Sequence, residues 1–202
     1  MKRWVYYIGF FATAIMIVIA FFGQGSVKTT SENGSSNPIR EVSIPASYKA
    51  FDSLGTLEQD ADLIIVGTPL LDFEQREHVA TYYDDGTLQD FYTLTEIRIS
   101  KIMKKPTDFP VTDRIKAVEP VGLITESDKL QTKVKADHYS ELKADKKYVM
   151  FLKKNTFGQY SLINMNNGKF NLDGTDVSDL TQDGESGIKM KLKQQIESKF
   201  GL

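Results

Sequence analysis

Few residues in this chain can move a proton near neutral pH. The two histidines, His78 in REHVA and His138 in KADHYS, each follow a carboxylate, Glu77 and Asp137. Glu119 in KAVEP is the third candidate, at the end of a strand-like run where it would face a cleft. Brought together, His78, His138 and Glu119 would make a hydrolytic site assembled from distant segments. Taken separately, they are two surface histidines in loops and one strand-end carboxylate. No H-E-x-x-H spacing is present, so no metal site is expected. Glu96, another strand carboxylate, is expected to face solvent.

Two further stretches look chemical and resolve into plainer readings. DGESGIK places Gly184 two residues before Ser186, as a nucleophile elbow requires, but the following glycine is Gly187, one position early. A helix start capped by Asp183 or Ser186 fits this piece better. NLDGTDVSDLTQDGE gathers Asp173, Asp176, Asp179, Asp183 and Glu185, but at intervals of three or four rather than the alternate positions of a calcium loop. It reads as a polar loop with a helical turn. There is no cysteine, which excludes disulfides, thiolate metal sites and cysteine nucleophiles together. No cofactor is implied.

The elements that must position these residues follow from periodicity. Thr56 and Gln59 stand at capping-box spacing, so a short helix is expected after Thr56. LIIVG follows as a strand buried on both faces. HVATYY and FYTLTEIRISKIM form a hairpin through the DDG turn, with Thr93, Thr95, Ile97 and Ile99 on one face. DRIKAV, KYVMFLK, QYSLINM and GKFNL supply further strands. In KYVMFLK, Tyr148, Met150 and Leu152 line one face and Val149 and Phe151 the other, with Lys146, Lys147, Lys153 and Lys154 at the ends. A C-terminal helix carries Ile188, Leu192, Ile196 and Phe200 as a stripe, with Lys189, Lys191, Lys193 and Lys199 off it. Many short strands with two helices predict a mainly β protein, an OB-like, partly closed β-barrel.

Ahead of this domain lies WVYYIGFFATAIMIVIAFF, Trp4 to Phe22, without a charge. As a helix it would span roughly 28 Å, the thickness of a bilayer core. Its length favours an uncleaved transmembrane anchor over a cleaved signal peptide, and Lys2 and Arg3 place the N-terminus in the cytoplasm. The expected organisation is an anchor over residues 1–22, a Gly/Ser-rich flexible linker over 23–47, and an extracytoplasmic barrel with its C-terminal helix over 48–202. Cleavage would instead make the protein secreted.

Charge is uneven. Residues 23–100 carry 5 basic and 13 acidic side chains, net −8, and residues 101–154 carry 13 and 8, net +5. The whole chain is at −2, a poor balance for holding nucleic acid. The basic middle segment offers a patch for phosphate or an envelope polymer only if folding leaves it undivided.

The order LEQDADLIIVGTP, YTLTEIRISKIMK, DRIKAVEPVG, LKADKKYVMFLKKN and YSLINMNNGKF resembles an uncharacterised, recurrent extracytoplasmic domain of Gram-positive bacteria, over about Thr56 to Leu172. The layout also resembles the OB-type barrel of netrin and tissue-inhibitor domains. That second resemblance implies a barrel flanked by helices. It does not carry the inhibitors' mechanism, which depends on a free N-terminal cysteine missing here. The combined expectation is a non-catalytic cell-surface binding or interaction module, held to the membrane by its N-terminal helix. Its partner would be a protein or a cell-envelope polymer. The binding surface is expected in the polar loops 72–78 and 119–140. A cell-envelope hydrolase and a structural subunit of a membrane complex are the alternatives.

Overall fold

The computed structural model describes residues 39–125, 130–179 and 186–202. In chain order these hold β1 (Arg40–Ile44), α1 (Leu54–Asp60), β2 (Leu63–Pro69), β3 (Glu77–Tyr82), β4 (Leu88–Lys104), β5 (Arg114–Glu119), β6 (Val121–Thr125), β7 (Gln131–Ala136), β8 (Tyr148–Lys154), β9 (Tyr160–Leu162), β10 (Lys169–Asn171) and α2 (Ser186–Phe200). The apolar run Trp4–Phe22 and most of the linker lie outside the described residues, as do Asp183 and Glu185. No helix among the described residues is long and apolar enough to cross a membrane.

Five strands close into a barrel. β2 pairs antiparallel with β4 and with β8, β4 continues to β5, β5 pairs in parallel with β9, and β9 returns antiparallel to β8. The expected partial closure is therefore complete. The β8–β9 turn makes this possible: Asn155 accepts the N–H groups of Phe157 and Gln159 with its side chain, and Gly158 sits at φ +80, where a side chain would be strained. At the β2–β4 crossing the backbones are tight. A methyl group on Gly67 would lie 2.5 Å from the Ile97 side chain and 2.9 Å from the Arg98 carbonyl.

Alternation divides the apolar residues between two compartments. Leu63, Ile65, Ile97, Ala117, Tyr148, Met150 and Leu152 fill the barrel interior. Ile64, Val66, Val149, Phe151 and Phe170 point outward and are covered by Leu54 and Leu57 of α1 and Leu192 and Ile196 of α2. β8 is thus buried on both faces because each face belongs to a different core. Helix α1 starts earlier than the capping-box spacing predicts. Ser53 is the N-cap, accepting from the Thr56 N–H, and Thr56 lies inside the helix.

Two elements escaped the sequence reading. β1 lies inside the stretch read as linker and pairs in parallel with β7, from Arg40↔Thr132 to Ile44↔Ala136. The segment read as a polar loop from Glu119 to Ser140 contains the hairpin β6–β7, which with β1 makes a second, three-stranded sheet. β4 runs through the barrel and beyond it, so that its first residues and β3 form a projecting hairpin. β6 packs on that hairpin, with Gly122 against Phe91.

Phe151 is fully buried and meets Phe170 edge to face at 6.2 Å. Phe151→Ala is expected to cost about 3–5 kcal/mol in urea unfolding. A loss near zero would remove the ring from the core assigned to it.

Candidate functional site

The segments 72–78 and 119–140 do meet, at one mouth of the barrel. His78 on β3 is registered opposite Thr93 on β4, and Thr93 opposite Glu119 on β5. Directly opposed residues share a sheet face, so the three side chains form one transverse row. His138 is not part of it. It is exposed on the turn after β7, and its main-chain carbonyl accepts from Asn166 Nδ2.

Glu119 does not face an open cleft, because it is completely buried. Its Oε1 accepts from Arg76 Nη1 at 2.9 Å and from the Thr95 hydroxyl; its Oε2 accepts from the Tyr139 hydroxyl at 2.7 Å and the Leu142 N–H at 2.8 Å. Four donors match the lone-pair capacity of a carboxylate. Arg76 is held just as fully. Its Nε donates to the Leu71 carbonyl at 3.0 Å and its Nη2 to the Leu142 carbonyl at 2.6 Å. The pair therefore ties β5 to the segment before β3 and to the segment after β7. Chemically, this carboxylate has no free acceptor site and no path to water.

His78 is half-buried on a strand rather than exposed in a loop. Thr93 Oγ1 gives its single proton to the Val121 carbonyl at 2.6 Å, so His78 Nδ1, 2.8 Å away, must be the donor to Thr93. That assigns the neutral ring a proton on Nδ1 and a lone pair on Nε2. Nε2 is buried without a hydrogen-bond partner. The ring meets Phe73 edge to face at 4.7 Å. Burial depresses the His78 pKa below 6.5, aided by the Arg76 charge and opposed by the Phe73 backbone and by Glu74 and Glu119.

Around this row sits a second ionic group. Glu141 bridges Lys133 at 2.7 Å and also Lys143, and Lys133 lies 4.8 Å over the Phe73 ring. Burial opposes ionisation of Glu141, but the two lysines outweigh it and bring its pKa down to about 2. Lys133 and Lys143 belong to the basic middle of the sequence, and Glu141 pairs with both and offsets one of their two charges. Glu96, as expected, lies on the outer sheet face, bridged to Arg114 at 3.2 Å.

A separate buried cluster was missed. Asp179 Oδ1 accepts from Lys189 Nζ at 2.6 Å and Lys169 Nζ at 3.3 Å, while its Oδ2 accepts from the Asn171 N–H at 2.8 Å. Lys169 also lies over the rings of Tyr139 and Tyr148. Lys189, expected on a solvated basic face, is buried and donates as well to the carbonyls of Asn166 and Lys169. A signal was present: Lys189 stands three residues before Leu192 and seven before Ile196, on the apolar stripe itself. Burial lowers the Lys189 pKa to about 8. Asp173 and Asp176 also direct their oxygens at protein donors, Asp173 at Thr175 and the Lys147 N–H, Asp176 at Tyr148 and Ser178. α2 begins at Ser186, which agrees with a helix start there.

Comparison with protein-family models and with curated proteins finds no match to this chain.

Two measurements test this geometry. Arg76→Met is expected to cost about 3–5 kcal/mol, since it leaves a buried carboxylate unpaired. Adding Glu119→Leu does not restore wild-type stability, because Tyr139 and the Leu142 N–H then lose their acceptor. A single-variant loss below about 1 kcal/mol would contradict the buried pair. For His78, the folded chain resists a proton that the unfolded chain accepts below pH 6.5. Its stabilising contribution is complete above that pH and declines as the pH falls through it. Wild-type Tm should therefore drop more steeply than that of His78→Gln between about pH 7.5 and 5.5. Parallel curves would refute the assignment.

Proposed function

We propose that this chain is a non-catalytic binding or interaction module of the bacterial cell surface, with an OB-like barrel held outside the membrane by its N-terminal apolar segment. The observation that carries the reading is the state of Glu119. The carboxylate best placed for acid–base chemistry accepts four protein donors and is sealed from solvent. His78 shares its row but has its Nδ1 committed to Thr93, and His138 lies apart.

The strand order supports the OB-like reading. Taken in chain order, the barrel strands β2, β4, β5, β8 and β9 are first to fifth, and they neighbour one another around the ring as first, second, third, fifth, fourth, with third and fifth parallel. OB barrels present the face of the second and third strands to ligands. Here that outer face carries Arg98 and the surface ion pairs Glu96–Arg114 and Glu77–Lys116, which exchange readily with a partner's groups. The resemblance to a recurrent Gram-positive extracytoplasmic domain is part of the same proposal. A protein or an envelope polymer is the proposed partner class.

The test sets binding against turnover. Full chain in mild detergent is incubated with insoluble cell-wall polymer, and both retention and release of soluble fragments are followed. Retention without fragment release is expected. Fragment release that Glu119→Gln or His138→Ala abolishes would overturn the non-catalytic reading in favour of the hydrolase.

A further inference from the structure

Strand β3 forms a backbone ladder with β4 alone among the described strands, which leaves the backbone groups of its other edge free of ladder partners. Such edges are ordinarily guarded by lysine, proline or inward charge. From His78 to Tyr83 the sequence HVATYY has no lysine, proline or glycine, and no formal charge with His78 neutral. Tyr82 and Tyr83, at the tip, are 50% and 42% exposed.

The hairpin is also acidic throughout. It carries Glu77, Asp84, Asp85, Asp90 and Glu96, and no lysine or arginine stands between Arg76 and Arg98. Glu77 and Glu96 are bridged from β5 by Lys116 and Arg114. Asp84, Asp85 and Asp90 enter no ion pair among the described residues; Asp85 accepts from Thr87 and Asp90 from the Phe91 N–H.

These two features together select an occupant. Two copies pairing along this edge would bring together two acidic hairpins, each with Asp84 and Asp85 at its tip and Asp90 on the adjoining strand, and their like charges repel. The same carboxylates attract a strand that carries lysine or arginine. We propose that the outer edge of β3 docks an extended, basic segment of a partner protein, which adds to the sheet as a further strand. Backbone pairing supplies affinity. Val79 and Thr81 on one face, with Ala80 and Tyr82 on the other, meet the alternate side chains of the incoming strand. The register shift between Thr81 and Tyr82, with Gln89 of β4 as the extra residue, ends the regular register near the tip. The inference rests on the binding-module reading and names its partner class.

The experiment uses full chain in mild detergent and two short synthetic peptides, one alternating lysine with valine and one alternating glutamate with valine. Binding is measured by titration and located by amide hydrogen exchange. The lysine peptide should bind and slow exchange across Glu77–Tyr82, and the glutamate peptide should not. The triple variant D84N/D85N/D90N should bind the lysine peptide about tenfold more weakly with an unchanged Tm, consistent with three screened ion pairs. No binding, binding with exchange on β3 unchanged, or equal affinity of the triple variant would overturn the docking edge. Those outcomes leave the binding-module reading intact, since it stands or falls on polymer retention and turnover.

Discussion

A small closed barrel has two open ends, and each must be sealed without leaving polar backbone bare. At one end this chain uses a single carboxylate. Glu119 gathers a guanidinium, two hydroxyls and a backbone N–H that come from three separate stretches of sequence. The stretches that carry Arg76 and Tyr139–Leu142 lie outside the strands, and the shared acceptor fixes them against β4 and β5. A buried ion pair of this kind adds little to stability relative to apolar packing, but its geometry admits one arrangement of the chain. The placement of the second sheet follows, since β6 begins two residues after Glu119 and Tyr139 comes three residues after β7.

Elements whose side chains are apolar on one or both faces were legible in the sequence. KYVMFLK shows which residues face which core, and the outcome agrees residue by residue: Tyr148, Met150 and Leu152 in the barrel, Val149 and Phe151 under the helices. The β3–β4 hairpin was marked by alternation and its DDG turn. β7 was not, because Lys133 and Lys135 occupy its outward positions and make QTKVKA read as a polar loop, although Thr132, Val134 and Ala136 alternate inward. β1 was hidden in a polar stretch, since REVSI is too short and too charged to stand out without its partner strand.

The candidate site was partly legible. His78 and Glu119 stand in one row, but 41 positions separate them, and no local period reports that they share it. Arg76 and Tyr139 went unnoticed for the same reason, because an ion pair across 43 residues leaves no periodic trace. Lys189 is a different failure. Its charge argued for solvent while its position argued for the core, and position prevailed because Asp179 was there to receive it. Burial of a lysine is decided by its partners, which lie elsewhere in the chain.

The parallel pairing of β1 with β7 has a mechanical consequence. A load applied at Arg40 along the strand axis is resisted by the five β1–β7 register pairs side by side. In that shear geometry the ladder must yield as a unit, whereas a sideways pull would open it one residue at a time. The strand by which the chain enters the domain is therefore built to bear tension in one direction and to peel in another.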